Sequence, residues 1–331
     1  MRSFWTFPRL ALAVLTASGV MLAQDSASLM PVDDAVRVSE FYRLAGQIQD
    51  QIWADWSRTP APLLLVTPDT EFLTHHPVVP SDFKKIGDDL YRRPRQFPTN
   101  LLSTFPAFGL PSVIVIGEPR NTVSRSSTPW TVTLMHEHFH QMQNAQPDYF
   151  RGVNALGLSG GDTTGMWMLN YPFPYEKPEL VSAFSNVRDL LLMAVNEKDS
   201  ARFAELANRY VVTRKQFFAG LSPDDRKYLS FQLWQEGIAR YTEIKCAEAA
   251  ATYQPTAAFT ALADFESFSA YASRVRQATL TELRQADLAR FKRIAVYSFG
   301  AAEGLLLDRM KPEWKTEYFS HPFTMDEYFQ E

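Results

Sequence analysis

Between Thr131 and Met142 the chain reads Thr-Val-Thr-Leu-Met-His-Glu-His-Phe-His-Gln-Met, which puts three of its six histidines within five residues. Val132, Leu134, Met135 and Phe139 lie before and between them, so a helix over this stretch is apolar enough to be buried. Buried imidazoles need partners. Whatever the chain folds into must therefore bring polar groups or an ion to the middle of its interior. The local signals do predict a helix: Thr128 suits the N-cap, Pro129 the first helical position, and Pro147-Asp148 closes the run.

His136, Glu137 and His140 spell H-E-x-x-H. On a helix, residues four apart lie one above the other, so the two imidazoles converge on one cation and the glutamate one step on reaches a water beside it. His138, two positions from each histidine, projects to the opposite side of the helix and is read as a supporting or structural residue rather than a ligand. A polar face carrying three solvated histidines is the competing reading, and the apolar residues interleaved with them argue against it. A catalytic zinc site takes three protein ligands and keeps a fourth position open. The third is expected from another helix, and the best candidate stretch runs from Phe231 to Glu243.

In that stretch Trp234-x-Glu236-Gly237-x-Ala239-x-Tyr241 resembles the third-ligand helix of gluzincin-type zinc metallopeptidases, in which H-E-x-x-H is completed by a downstream glutamate. The resemblance implies that Glu236 binds zinc with His136 and His140, and that Gly237, lacking a side chain, lets its helix approach closely. Glu236 read plainly is a surface carboxylate. Glu243, seven residues on and so on nearly the same face, is the rival ligand or an acceptor behind one. Ala295 to Asp308 looks like the tyrosine-bearing helix of the aminopeptidase branch, which implies that Tyr297 donates to the oxyanion; read plainly, Tyr297 is a half-buried aromatic on a core helix. The likeness covers about 131–142, 231–243 and 294–308. His140 and Glu236 stand 96 positions apart, much further than in the best-known gluzincins, which leaves room for an inserted helical pair over roughly 179–218. Gly117-Glu118-Pro119 does not match the glycine-rich motif with which the aminopeptidase branch holds a substrate amine, so that specificity is not implied.

The resemblance implies an α+β, zincin-like metallopeptidase unit: a small N-terminal sheet, then a mainly helical C-terminal lobe. It also implies zinc-dependent hydrolysis of a peptide or protein substrate by a metal-activated water, with Glu137 as general base and Tyr297 assisting. A zinc hydrolase of an ester or non-peptide amide would use the same ligands. A non-catalytic, zinc-stabilised binding protein would instead close the site with a fourth protein ligand.

Length and pattern fill in the rest. With 331 residues the chain has room for about two units; 24–128 reads as an α+β part and 129–331 as mainly helical. Apolar residues recur at three and four from Asp33 to about Trp56. Leu63–Val66, Glu71–His75, Asp89–Arg93 and Ser112–Ile116 read as strands, and helical patterns cover about 179–197, 199–218, 223–251 and 281–309. Ser112–Ile116 is either an edge strand able to pair with extended substrate or a core strand. Trp167–Tyr175 reads as a cleft wall, a lid or a rigid loop. His75, His76 and His321 lack ligand spacing. Thirty-three basic against 37 acidic side chains, without a basic run, exclude a phosphate-backbone partner. Residues 1–23 read as a signal peptide for export to a periplasmic or extracellular space. Their apolar stretch from Leu10 to Ala23 would span only about 21 Å as a helix, so no stable membrane span is expected once it is removed. Cys246, the single cysteine, can form no intrachain bridge and reads as a small buried hydrophobe.

Overall fold

The computed structural model of the chain describes residues 29–330, so the predicted signal segment 1–23 lies outside the described residues. The described part is α+β, with a six-stranded mixed sheet in the first third and helices through most of the rest.

Helix α1, Val32–Ile52, opens it and buries Val38, Phe41, Leu44, Ala45, Ile48 and Ile52, the stripe that its period of three and four predicts. The strands are β1 Leu63–Val66, β2 Thr70–Thr74, β3 Lys84–Gly87, β4 Leu90–Pro94, β5 Leu102–Phe105 and β6 Val113–Gly117. Their order is β3-β4-β2-β1-β6-β5, and only the β1–β6 pair is parallel. The apolar runs of β1 and β6 are covered on both faces. Leu63, Leu65, Ile114 and Ile116 join the main core on the helical side, while Leu64, Val66, Val113 and Val115 meet Leu73 and Phe83 on the other. The run at Ser112–Ile116 is therefore a core strand, flanked by β1 and β5. The edge next to the helices is β5, which the sequence reading missed along with β3, since each offers only four residues with little apolar signal.

Helix α2, Ser127–Asn144, is buried along its whole length. It begins two residues earlier than predicted: Ser126 holds the N-cap position, and Thr128 lies in the first turn, its hydroxyl donating to the Glu266 carbonyl. Trp130 Nε1 donates to the Gly117 carbonyl at 2.9 Å and fixes α2 against the end of β6.

Beyond it, α3 Pro178–Asn196 and α4 Ser200–Ala219 form the helical pair expected between the two ligand segments. Helix α5, Pro223–Gln232, runs through a π-type turn, Leu233–Gly237, into α6 Ile238–Ala249. Helix α7, Phe268–Gln285, was not foreseen, and the continuous helix predicted over 281–309 is broken. A short helix at Leu288–Phe291 is followed by Lys292 with φ +48° and a 3-10 turn, and α8 begins at Ala295 and ends at Met310. One apolar core is continuous from α1 and the inner sheet face to α8. Among the described residues no helix is long and apolar enough to cross a membrane.

Candidate metal centre

His136 and His140 point from the middle of α2 toward Glu236 in the π-type turn. His140 Nε2 lies 3.2 Å from His136 Nε2 and 3.4 Å from Glu236 Oε2, which stands 3.9 Å from His136 Nε2. A tetrahedral zinc ion with bonds of about 2.0–2.1 Å holds its ligand atoms about 3.3 Å apart. The observed separations bracket that edge, so these three side chains are close enough to hold a metal ion, and an imidazole–imidazole–carboxylate set has the right chemistry for one. Two buried imidazole nitrogens facing each other at this distance need a proton or a cation between them, since two bare lone pairs would repel.

The surroundings fix which nitrogens are free. Gln143 Nε2 donates to the Trp234 carbonyl at 3.0 Å and to Tyr318 Oη at 2.8 Å, which turns its Oε1 toward His140. His140 Nδ1 lies 2.7 Å from that oxygen and 3.0 Å from Gln235 Nε2; as the donor to Gln143 it leaves the Nε2 lone pair for an ion. Behind His136 stands Glu243, with Oε2 3.4 Å from Nδ1. Arg240 holds the Glu243 carboxylate at 2.8 and 2.9 Å, and Tyr271 Oη reaches it at 3.3 Å. Of the two rival carboxylates, Glu236 thus lies in the cluster and Glu243 supports His136 from the far side.

The pocket is electrostatically negative. Burial disfavours a charge on His136, yet Glu236 and Glu243 beside it outweigh burial and push its pKa up to about 10. Burial likewise works against the charge on Glu236, but His140, His136 and Arg293 hold its carboxyl well below the usual range. The same balance, with Arg240 as chief partner, brings Glu243 down to about 2. A site that keeps an imidazole protonated in this way is one that a divalent cation can occupy instead.

Glu137 projects toward the sheet edge, where Thr104 Oγ1 on β5 donates to its Oε2 at 2.7 Å. Tyr297, on the first turn of α8, lies with its ring nearly parallel to that of His136, centroids 6.3 Å apart, and its hydroxyl accepts from Arg293 Nη1 at 3.0 Å. Burial and the neighbouring Glu236 push the phenol well above its ordinary pKa. The approach of the helices is set by glycine. A Cβ on Gly237 would fall 2.6 Å from Gly300 Cα, and one on Gly300 would fall 2.5 Å from Gly237 Cα, so α6 and α8 cross backbone to backbone there. The close approach that Gly237 permits is toward α8, one residue from Glu236 and three from Tyr297.

The other marked residues lie elsewhere. His138 contacts the Gln141 and Gln49 side chains and stacks on Trp56, and burial brings its pKa down to about 4. Glu118 binds Arg120 and Asn121. His75 is exposed near Asp89, His76 lies between the Val78 and Pro111 carbonyls, and His321 rests on Tyr328. Cys246 is buried, and burial followed by Glu243 raises its thiol far above the usual value. The segment from Trp167 to Tyr175 is packed on α5: Trp167 on Phe231, Tyr171 on Tyr228, and the Met168 carbonyl accepting from Gln232 Nε2 at 2.9 Å. Sequence reasoning missed Gln143, Thr104, Arg240 and Arg293. Gln143 was legible in principle, three residues from His140 on the same helix face, and so was Arg293, four before Tyr297; nothing local marks Thr104.

No protein-family model, curated protein or solved structure matches the chain.

Proposed function

We propose that the protein is a zinc metallopeptidase of zincin-like build, which hydrolyses a peptide bond at the centre formed by His136, His140 and Glu236. The observation that carries this reading is the convergence of Glu236 Oε2 with the two Nε2 atoms while Glu137, the adjacent carboxylate, stays outside the ligand set. A structural site has no use for a buried carboxylate held ready beside it, whereas a hydrolytic one needs it as a base.

A bound zinc ion supplies Lewis acidity, which makes a water acidic near neutral pH and polarises the substrate carbonyl. Glu137 would take the proton of the attacking water through the oxygen that Thr104 leaves free and pass it to the departing amine. Tyr297, whose ring lies beside that of His136, would donate its hydroxyl proton to the carbonyl oxygen as charge builds there. Strand β5 supports a peptide substrate over a smaller ester, because it is a sheet edge next to Glu137 and can pair with an extended chain. Export through residues 1–23 belongs to the same proposal and rests on the sequence alone.

The test is metal content after dialysis, by elemental analysis, with cleavage of a quenched peptide library measured in parallel. Wild type is expected to hold about one zinc per chain; His140→Ala and Glu236→Ala should lose it, and Glu137→Gln should keep it while losing cleavage by 10²- to 10⁴-fold, on the order of a general base's usual contribution. Wild type without zinc after reloading, or full cleavage by Glu137→Gln, overturns the proposal.

A further inference from the structure

The carboxylate of Glu236 is divided between two neighbours. Oε2 faces the histidine pair, whereas Oε1 faces Arg293, whose Nη1 stands 3.5 Å away. The same guanidinium donates to Tyr297 Oη at 3.0 Å and reaches Gln232 Oε1 at 3.4 Å. Gln232 is in turn fixed by the Met168 carbonyl. Arg293 is largely buried and lies over the Tyr297 ring.

The backbone is distorted at the point that delivers it. Lys292, a residue with a full side chain, sits at φ +48° and ψ −130° between two helices that the sequence would otherwise join. Such a conformation is strained for a residue with a side chain and persists where the surroundings enforce it. Here it interrupts the helix and sets Arg293 one turn before Tyr297, on the face turned to Glu236.

We propose that Arg293 is a positioning residue of this centre. It occupies Glu236 Oε1 so that the carboxylate offers a cation only Oε2, and it donates to a lone pair of Tyr297 Oη, so that the phenol's own proton is turned away from the guanidinium. The planar guanidinium does both at once, with donors in a fixed fork. A glutamate confined to one oxygen leaves a coordination position open, which distinguishes a reacting centre from a closed one. This inference rests on the metal-centre reading given above and names a residue that the reading does not require.

The experiment loads the full chain with Co²⁺ and records its visible absorption, which reports coordination number, beside the Co²⁺ and Zn²⁺ dissociation constants. Arg293→Gln should keep a folded far-ultraviolet spectrum, lose visible absorption intensity as Glu236 turns both oxygens to the ion, and shift metal affinity or peptide turnover by about 10- to 100-fold, as changes behind metal ligands do. Arg293→Met, which keeps the apolar stem, is read in its place should the glutamine variant not fold. Arg293→Lys should recover part of the affinity change, and Tyr297→Phe, which leaves the Arg293–Glu236 contact intact, should keep the wild-type cobalt spectrum. A folded Arg293→Gln protein with wild-type spectrum, affinity and turnover overturns the assignment while leaving the metal centre standing. Wild type that takes up neither ion overturns both.

Discussion

Thr104 and Glu137 are 33 positions apart and meet only because β5 is the sheet edge beside α2. The Thr104 hydroxyl is within reach of both the carbonyl and the Oε2 of Glu137, at 3.1 and 2.7 Å, so it holds the main chain and the carboxylate of the proposed base together. Val is nearly the same shape as Thr but has no donor. In Thr104→Val the carboxylate loses that anchor and gains rotational freedom, and a base out of line is a slower base. Metal content should be unchanged, and turnover of a cleaved peptide should fall about 10- to 100-fold with little change in KM. Turnover equal to wild type would mean that Thr104 serves only the packing of β5. The site residues were legible in the sequence to the extent that their chemistry repeats at a helical interval. His136, Glu137 and His140 share one helix, and the pairing of Glu236 with Glu243 two turns apart foretold two carboxylates near one imidazole. Thr104 could not be found this way, because a lone hydroxyl on a four-residue strand gains meaning only from the sheet order.

What brings Glu236 and Tyr297 within reach of the same histidines is the crossing of α6 and α8 at Gly237 and Gly300. In an ordinary helix Gly→Ala stabilises by about 1 kcal/mol through backbone entropy. At Gly300 the added methyl would lie 2.5 Å from Gly237 Cα, and overpacking of that kind costs about 1–3 kcal/mol or more. The clash wins, so Gly300→Ala should lower Tm by several degrees and weaken metal binding as the Glu236 turn is displaced. Gly46 in α1 has nothing within 4 Å of its Cβ position, so Gly46→Ala should raise Tm instead. Equal shifts in both variants, measured calorimetrically, would remove the crossing from the account. The same elements mark the limit of periodicity as a guide. Apolar spacing located α1, α3 and α4 to within a few residues, because each buries one clear stripe. It ran 223–251 together across the π-type turn and 281–309 across the break at Lys292, since neither a widened turn nor a residue at positive φ disturbs the apolar pattern. Both irregularities flank the candidate metal centre, and backbone departures of this kind tend to gather at functional sites.

Across the molecule, the C-terminal segment is tied to the helices through Asp326. Its Oδ1 accepts from Arg214 in α4 and its Oδ2 from Arg226 in α5, each at 2.8 Å, and Arg214 is also bound to Glu303 in α8 and to the Phe218 and Phe329 rings. Burial works against the Asp326 charge, but the two guanidinium groups prevail and hold its pKa below the ordinary value. The sign of the consequence follows from proton counting. The unfolded chain binds a proton at Asp326 at a higher pH than the folded chain does, so the tie contributes fully above about pH 4–5 and is lost as pH falls through the folded value. Asp326→Asn removes the charge at every pH and leaves the nearly inaccessible Arg214 with Glu303 as its remaining carboxylate. At neutral pH the variant should be less stable by about 1.5–3 kcal/mol, the range of a hydrogen bond to a charged group. The difference should shrink progressively as the wild type is acidified from about pH 4 through the lower pKa of folded Asp326, because protonation then gives both proteins a neutral side chain at that position. Urea midpoints from pH 3 to pH 7 measure this directly. A gap that stays constant with pH would show that Asp326 holds the segment by shape and neutral hydrogen bonding, and that its charge contributes nothing to closing the helical part.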